Sequence, residues 1–265
     1  MRVILLTHGG ADLVLEKLHG LESIEIVGVF VETVTTPRRG IVEKIRRSIK
    51  YDGVLDTAKK LFPKNGREVD QYEAGNQTTE VAEKLGLPVY EVADFHSETS
   101  IELMRESDAD VGVIYGTNII KENVFSIPKL GSINLHQGLA PYYRGGPPIF
   151  WELFNGEQEV GITVHFVAAK VDTGDIILQK TLPLEYDIGY GLNFEEFIES
   201  FKSGLQEESA NLIAESVKLI ASGDVQRKPQ DVSVGKRYRL PVKKEKDEMR
   251  RRLKQRMNRG KNAED

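Results

Sequence analysis

The chain contains no cysteine. Disulfides, thiolate catalysis and cysteine-based metal sites are excluded, and the absence agrees with a reducing compartment, so a cytoplasmic protein is expected. Five histidines are present, at 8, 19, 96, 136 and 165, and no two have the helical i, i+4 spacing of a zinc pair, so no metal is expected. Long apolar runs are missing. The opening MRVILLTHGG has too short a run for a signal peptide, and no stretch approaches a membrane span, so no membrane partner is expected. A dominant charge is missing too: a net charge of −5 gives no global field toward nucleic acid or membrane. There is no internal repeat, no G-x-S-x-G elbow, no GxGxxG and no Walker lysine. At 40% hydrophobic and 29% charged, the 265 residues suffice for a sizeable core, in one large domain or a domain with an appendage.

Val3–Leu6 is a continuous apolar run, as in a strand buried on both faces. His8-Gly9-Gly10 turns the chain, Ala11–Leu18 has helical spacing, and Ile24–Val31 is a second β-type run. This β-α-β opening implies a right-handed crossover and a parallel sheet. Gly9-Gly10 before a helix could cradle a phosphate, or simply make a tight turn. Thr33–Asn76 is polar, with basic groups at Pro37-Arg38-Arg39 and Lys44–Lys50 and room for short helices near Ile41–Ile49 and Val54–Leu61. It reads as a surface insertion, or as a basic flap over an anionic substrate. Thr79–Leu85 and Ile101–Glu106 are helical, and Val89–Val92 and Val111–Tyr115 are strands. Gly116-Thr117-Asn118 follows the latter at a carboxyl end, where ligands of open α/β sheets bind. A helix is expected to start within Pro148–Phe154.

The most unusual polar grouping lies in Gly131–Gly146, GSINLHQGLAPYYRGG. Ile133-Asn134-Leu135-His136 alternates as a half-buried strand does, so Asn134 and His136 face one side together over a Gly/Pro loop. Asn can donate to a developing oxyanion, and His can move a proton near neutral pH. The same pair could instead satisfy local backbone groups. Gly161–Val167 alternates as well. Its His165 reads as a half-exposed strand residue rather than a catalyst. Val171-Asp172-Thr173-Gly174-Asp175 is a turn carrying two carboxylates. If Asp172 meets the strand end, its charge should raise the His136 pKa. Amide, imidazole and carboxylate together suit attack by an amine on a carbonyl without a nucleophilic side chain.

Ile176–Leu184 is a further strand, and Asn193–Ser222 a long amphipathic helix that packs Phe197, Phe201, Leu205 and Leu212 on the sheet and is capped by Gly223. Gly235–Pro241 reads as extended. Lys243–Lys261 is highly charged and reads as a protruding helix or tail, dispensable for folding.

Asn134-Leu-His136, Gly138-Leu-Ala-Pro141, Tyr143-Arg144-Gly145, Pro148, Trp151, Asn155-Gly156-Glu157, Gly161-Ile-Thr163, His165 and Asp172-Thr-Gly174-Asp175-Ile176 form an ordered set. It resembles the folate-dependent formyltransferase family, which includes glycinamide ribonucleotide, methionyl-tRNA and sugar-amine formyltransferases. The likeness is strong over Val111–Pro183 and looser over the first strand and helix. It implies a Rossmann-like domain that passes a formyl group from the co-substrate 10-formyltetrahydrofolate to a primary amine. It also implies an Asn-His-Asp triad of Asn134, His136 and Asp172, and a pterin pocket at Tyr115, Gly116, Thr117, Asn118, Ile119 and Val171. Gly9, Gly10, Tyr143, Arg144 and Gly145 are the positions it suggests for the acceptor.

The expectation is therefore an α/β, Rossmann-like three-layer domain with a mostly parallel sheet. The catalytic domain spans 1–190, and a helical C-terminal extension, a long helix and a charged tail, spans 191–265. The acceptor that matches best is an amino sugar on a nucleotide. Methionyl-tRNA is the alternative, weakened because the region after the catalytic segment shows little strand pattern where the tRNA branch has a β-barrel. Glycinamide ribonucleotide is a further alternative, in doubt because Asp12 would repel its phosphate at Gly9-Gly10. A non-catalytic folate-binding module is another. A homodimer is compatible with the sequence.

Overall fold

The computed structural model describes residues 1–33, 41–52, 71–147, 149–184 and 194–261. Strand β1 (Arg2–Thr7) leads through α1 (Asp12–His19) to β2 (Glu25–Glu32). Helices α2 (Ile41–Asp52) and α3 (Gln71–Lys84) precede β3 (Val89–Val92), α4 (Glu98–Glu106), β4 (Val111–Tyr115), α5 (Glu122–Phe125) and β5 (Ser132–His136). Then follow the short β6 (Tyr143–Arg144), α6 (Phe150–Asn155), β7 (Glu159–Phe166), β8 (Ile176–Pro183), α7 (Phe194–Ser222), β9 (Lys236–Arg237) and α8 (Lys243–Lys261). The expected helix at Val54–Leu61 and the basic Pro37-Arg38-Arg39 fall outside the described residues.

The main sheet has seven strands in the order β3-β2-β1-β4-β5-β7-β8. β3, β2, β1, β4 and β5 run parallel, and β7 and β8 are antiparallel additions. All seven strands expected from the sequence join this one sheet. The strand order reverses between β1 and β4, where open α/β sheets place ligands at the strands' carboxyl ends.

Alternation along β1 divides the core in two. Val3 and Leu5 join α1, Ala82 of α3 and the apolar stripe of α7 on one face. Ile4 and Leu6 meet Phe30, Phe95, Ile101 and Met104 on the other, under α4 and α5. This is the expected three-layer Rossmann-like arrangement. Helix α7 ends at Gly223, whose φ of +79° suits glycine. Its Leu205, Leu212, Ile213, Val217 and Ile220 are buried in the first cluster, so the helix completes a face of the sheet. The side chain of Phe197 lies outside those described.

The C-terminal segment departs from expectation. Lys243–Lys261 does not protrude; it forms α8 and packs on α6. Met249 and Leu253 are buried, Arg252 stacks 4.4 Å over the Phe154 ring and donates to its carbonyl, and Arg256 donates to the Leu153 carbonyl. A charged helix can bury a narrow stripe and the stems of its arginines together. The extended segment at Gly235–Pro241 becomes β9, paired in parallel with β6. Among the described residues no helix is long and apolar enough to cross a membrane.

Candidate active site

Strands β5 and β7 pair antiparallel with Asn134 opposite His165 and His136 opposite Thr163. Directly paired residues share a face, so the polar positions of both strands converge. Thr163 holds the loop after β5: it donates to the Gly138 carbonyl at 2.8 Å and accepts from the Ala140 amide at 3.1 Å, ahead of a cis Ala140–Pro141 bond. His165 is 2% exposed, its Nδ1 2.7 Å from the Phe166 carbonyl and its Nε2 3.4 Å from the Asn134 amide nitrogen. The expectation of a half-exposed position is thus overturned.

The turn after β7 delivers Asp172 into this cluster. Its backbone is left-handed, at φ +52°, a conformation Asp tolerates better than most residues. Oδ2 lies 3.5 Å from His136 Nδ1 and accepts from the Gly145 amide at 2.8 Å, and Oδ1 lies 3.4 Å from His165 Nε2. Burial pushes the carboxyl up, but the His165 contact, the charges of both histidines and the Gly145 amide together carry it down to about 2. Asp172 is therefore ionised at neutral pH.

For His136 the expected rise is overturned. Burial, acting against the imidazolium, outweighs the Asp172 charge and the Tyr143 carbonyl that favour it, and His165 and Arg144 add to the lowering. The imidazole is neutral at pH 7. Its Nε2 lies 2.6 Å from the Tyr143 carbonyl, which can only accept, so Nε2 carries the proton and Nδ1 holds a free pair. A proton taken at Nδ1 would appear beside the ionised Asp172. Two glycines are fixed by this geometry. A Cβ on Gly138 would collide with His136 Nε2 and the Tyr143 carbonyl, and one on Gly174 with the Phe166 carbonyl.

Asn134, His136, His165 and Asp172 line a cavity of about 390 Å³. Tyr115, Gly116, Thr117, Asn118, Ile119 and Val171, the positions implied for a pterin, line the same cavity, as does Gly145. Ile119 is 66% exposed and presents an apolar surface at its edge. Among the described residues no group of three acidic or histidine side chains could hold a metal ion.

The other suggested acceptor positions are placed elsewhere. Arg144 is 8% exposed and donates to the carbonyls of Pro141 and Val232, so its charge serves the backbone rather than a ligand. Tyr143 turns its ring away from the cavity, donating from its hydroxyl to Glu157. Gly9 and Gly10 lie at the end of β1, outside the lining, with Gly9 near Gly116. The segment after α7 braces both functional loops. Gln230 donates to the Gly174 carbonyl, the Tyr238 amide to the Arg144 carbonyl, and Trp151 to the Arg239 carbonyl.

Residues 1–189 match the formyl transferase family. A methionyl-tRNA formyltransferase of Chlorobium phaeovibrioides is 37% identical over 154 residues, 58% of this chain and 46% of its own length. The chain thus spans less than half of that relative. Among solved structures, a phosphoribosylglycinamide formyltransferase of Anaplasma phagocytophilum superposes with a TM-score of 0.58 at 20% identity, over 87% of this chain and 96% of that one. A sugar 3N-formyl transferase, solved in the presence of dTDP and 5-N-formyl-THF, gives 0.51 at 14% identity, over 91% and 69%. At these identities the structural likeness shows the fold.

Proposed function

The chain belongs to the formyl transferase family, and from that premise we propose that it moves the formyl group of 10-formyltetrahydrofolate onto a primary amine. The observation that carries this reading is the Asp172 carboxylate held between His136 and His165, beside Asn134, in the wall of one cavity. The neutral amine attacks the formyl carbon. Asn134 donates to the formyl oxygen as its charge develops. The ammonium proton passes to His136 Nδ1, where Asp172 stabilises the imidazolium. Collapse of the tetrahedral intermediate breaks the bond to N10 of the folate, which takes that proton and leaves as tetrahydrofolate. His165 holds Asn134 and Asp172 in register. Tyr115–Ile119 and Val171 would hold the pterin, with Ile119 as an apolar contact.

For the acceptor, we favour an amino group on a nucleotide-linked sugar. The Tyr143-Arg144-Gly145 pattern is common to the sugar and tRNA branches; the support is that the described residues after 194 form helices and a two-residue strand, with α7 packed on the sheet. Methionyl-tRNA is the second reading, favoured by relatives such as the one at 37% identity. Glycinamide ribonucleotide fits less well, because Asp12 stands at the start of α1, held by Thr78, where a phosphate would approach. The test is release of tetrahydrofolate from 10-formyltetrahydrofolate with amino-sugar nucleotides, methionyl-tRNA and glycinamide ribonucleotide in parallel. Turnover with an amino-sugar nucleotide alone supports the favoured reading, and turnover with methionyl-tRNA alone the second. Release without any acceptor would indicate hydrolysis, and folate binding without release a non-catalytic module.

A further inference from the structure

Tyr143 is a partition. Its carbonyl faces His136, while its ring lines a second cavity of about 530 Å³ that formyl transfer does not use. Glu152 of α6 lines this cavity and is 3% exposed. Among the described residues, only its own backbone N–H reaches its carboxyl. Burial pushes that carboxyl up to about 7, and the charge of Glu157 adds to the rise. A buried carboxyl held only by its own backbone N–H is costly, and an apolar side chain of similar size would pack there without that cost. A perturbed acid in a concave pocket points to a ligand.

The surroundings specify the ligand's chemistry. Glu157 and Glu159 are exposed residues of the same lining, and Glu157 accepts from the Tyr143 hydroxyl at 2.7 Å, so three acids border the cavity. Lys236 is the opposing charge in the lining; it is exposed, with its ammonium 5.2 Å over the Tyr238 ring. That contact shows a tyrosine face of this cavity accepting an ammonium group. The three acids do not converge as a metal site would. The volume instead suits an organic molecule, with Leu139, Val160 and Val234 as apolar wall.

We propose that this cavity is a second binding site, for an organic ammonium ion whose nitrogen pairs with Glu152 and whose apolar body lies along Leu139, Val160 and Val234. Glu157 and Glu159 draw the cation to the mouth. The site stands apart from the catalytic cavity and does not depend on the identity of the formyl acceptor.

Trp151, the single tryptophan, adjoins Glu152 in sequence, and its ring lies 4.9 Å from that of Tyr238. Its fluorescence in the full chain, without folate, is the reporter. The probe is n-butylammonium chloride at about pH 8, where Glu152 is ionised, and constant ionic strength, with n-butanol as the uncharged control. A saturable change with butylammonium and none with butanol is expected. Glu152→Gln should weaken binding about tenfold or more, the effect of losing one charge-assisted contact. Glu157→Gln with Glu159→Gln should weaken it less. No saturable change, an equal response to butanol, or unchanged affinity in Glu152→Gln overturns the proposal. Should Glu152→Gln fail to fold, unchanged affinity in the double mouth variant overturns it.

Discussion

Replacing Glu152 by glutamine should change how stability depends on pH. The carboxyl is pushed from its ordinary 4.5 to about 7 in the folded protein. Below pH 4.5 it is protonated in both folded and unfolded chains, and its contribution is fully present. Between 4.5 and 7 the unfolded chain releases a proton that the folded chain retains, so stability falls as pH rises through this window. Above about 7 the loss levels off. At about 1.36 kcal/mol per pKa unit, it amounts to about 3 kcal/mol at the plateau. This is an upper bound, because an anion at the wall of a cavity is less desolvated than one in a closed core. The glutamine side chain has similar shape and no proton to lose. Urea unfolding of both proteins from about pH 4.5 to 8.5 reads the difference directly. The two midpoints should nearly coincide at the acid end, and the variant should become progressively the more stable one toward the alkaline end. Parallel curves across the range would show that Glu152 ionises normally, and the description of its surroundings would be wrong.

Other changes test other parts of the account. His165→Ala should lower turnover on the order of 10²-fold, because Asn134 and Asp172 lose their shared neighbour, with folate affinity measured alongside to separate binding from chemistry. The pH profile of kcat/KM should show its acid limb below pH 6.5 and be flat at neutrality, since burial keeps His136 neutral there. Leu253→Ala should cost about 2–5 kcal/mol in urea unfolding, and deletion of residues after Pro241 at least as much, because α8 is packed on α6. Gly174→Ala should lower the melting temperature by disturbing the Phe166 carbonyl, at a cost of about 1–3 kcal/mol.

Much of the fold could be read locally. Apolar runs located the parallel strands, and period-two alternation placed Asn134 and His136 on one face. What escaped depended on contacts between distant segments. His165 shared its face with Thr163, but which side of β7 met β5 is a matter of register, and only the Asn134–His165 pairing supplies it. The two Asn/Thr-x-His patterns on neighbouring strands were the signal that could have found it. Arg144 has the chemistry of an anion ligand, yet Val232, eighty-eight residues away, accepts its hydrogen bond. Met249 and Leu253 form too thin a stripe to announce burial, and the aromatic helix that receives them lies almost a hundred residues earlier. The His136 pKa went the other way because the depth of burial, invisible in the sequence, outweighs the visible carboxylate.

The central claim is that Asn134, His136 and Asp172 act as one unit on a formyl group. Single-turnover release of tetrahydrofolate, measured with a productive amine acceptor, tests it most directly in Asn134→Ala, His136→Ala, Asp172→Ala and the triple variant. Each single change should slow release by about 10²–10³-fold with folate affinity nearly unchanged. The triple variant should be little slower than the worst single one, because the effects do not add. Near-normal release by His136→Ala, or losses that multiply across the three positions, would contradict the account.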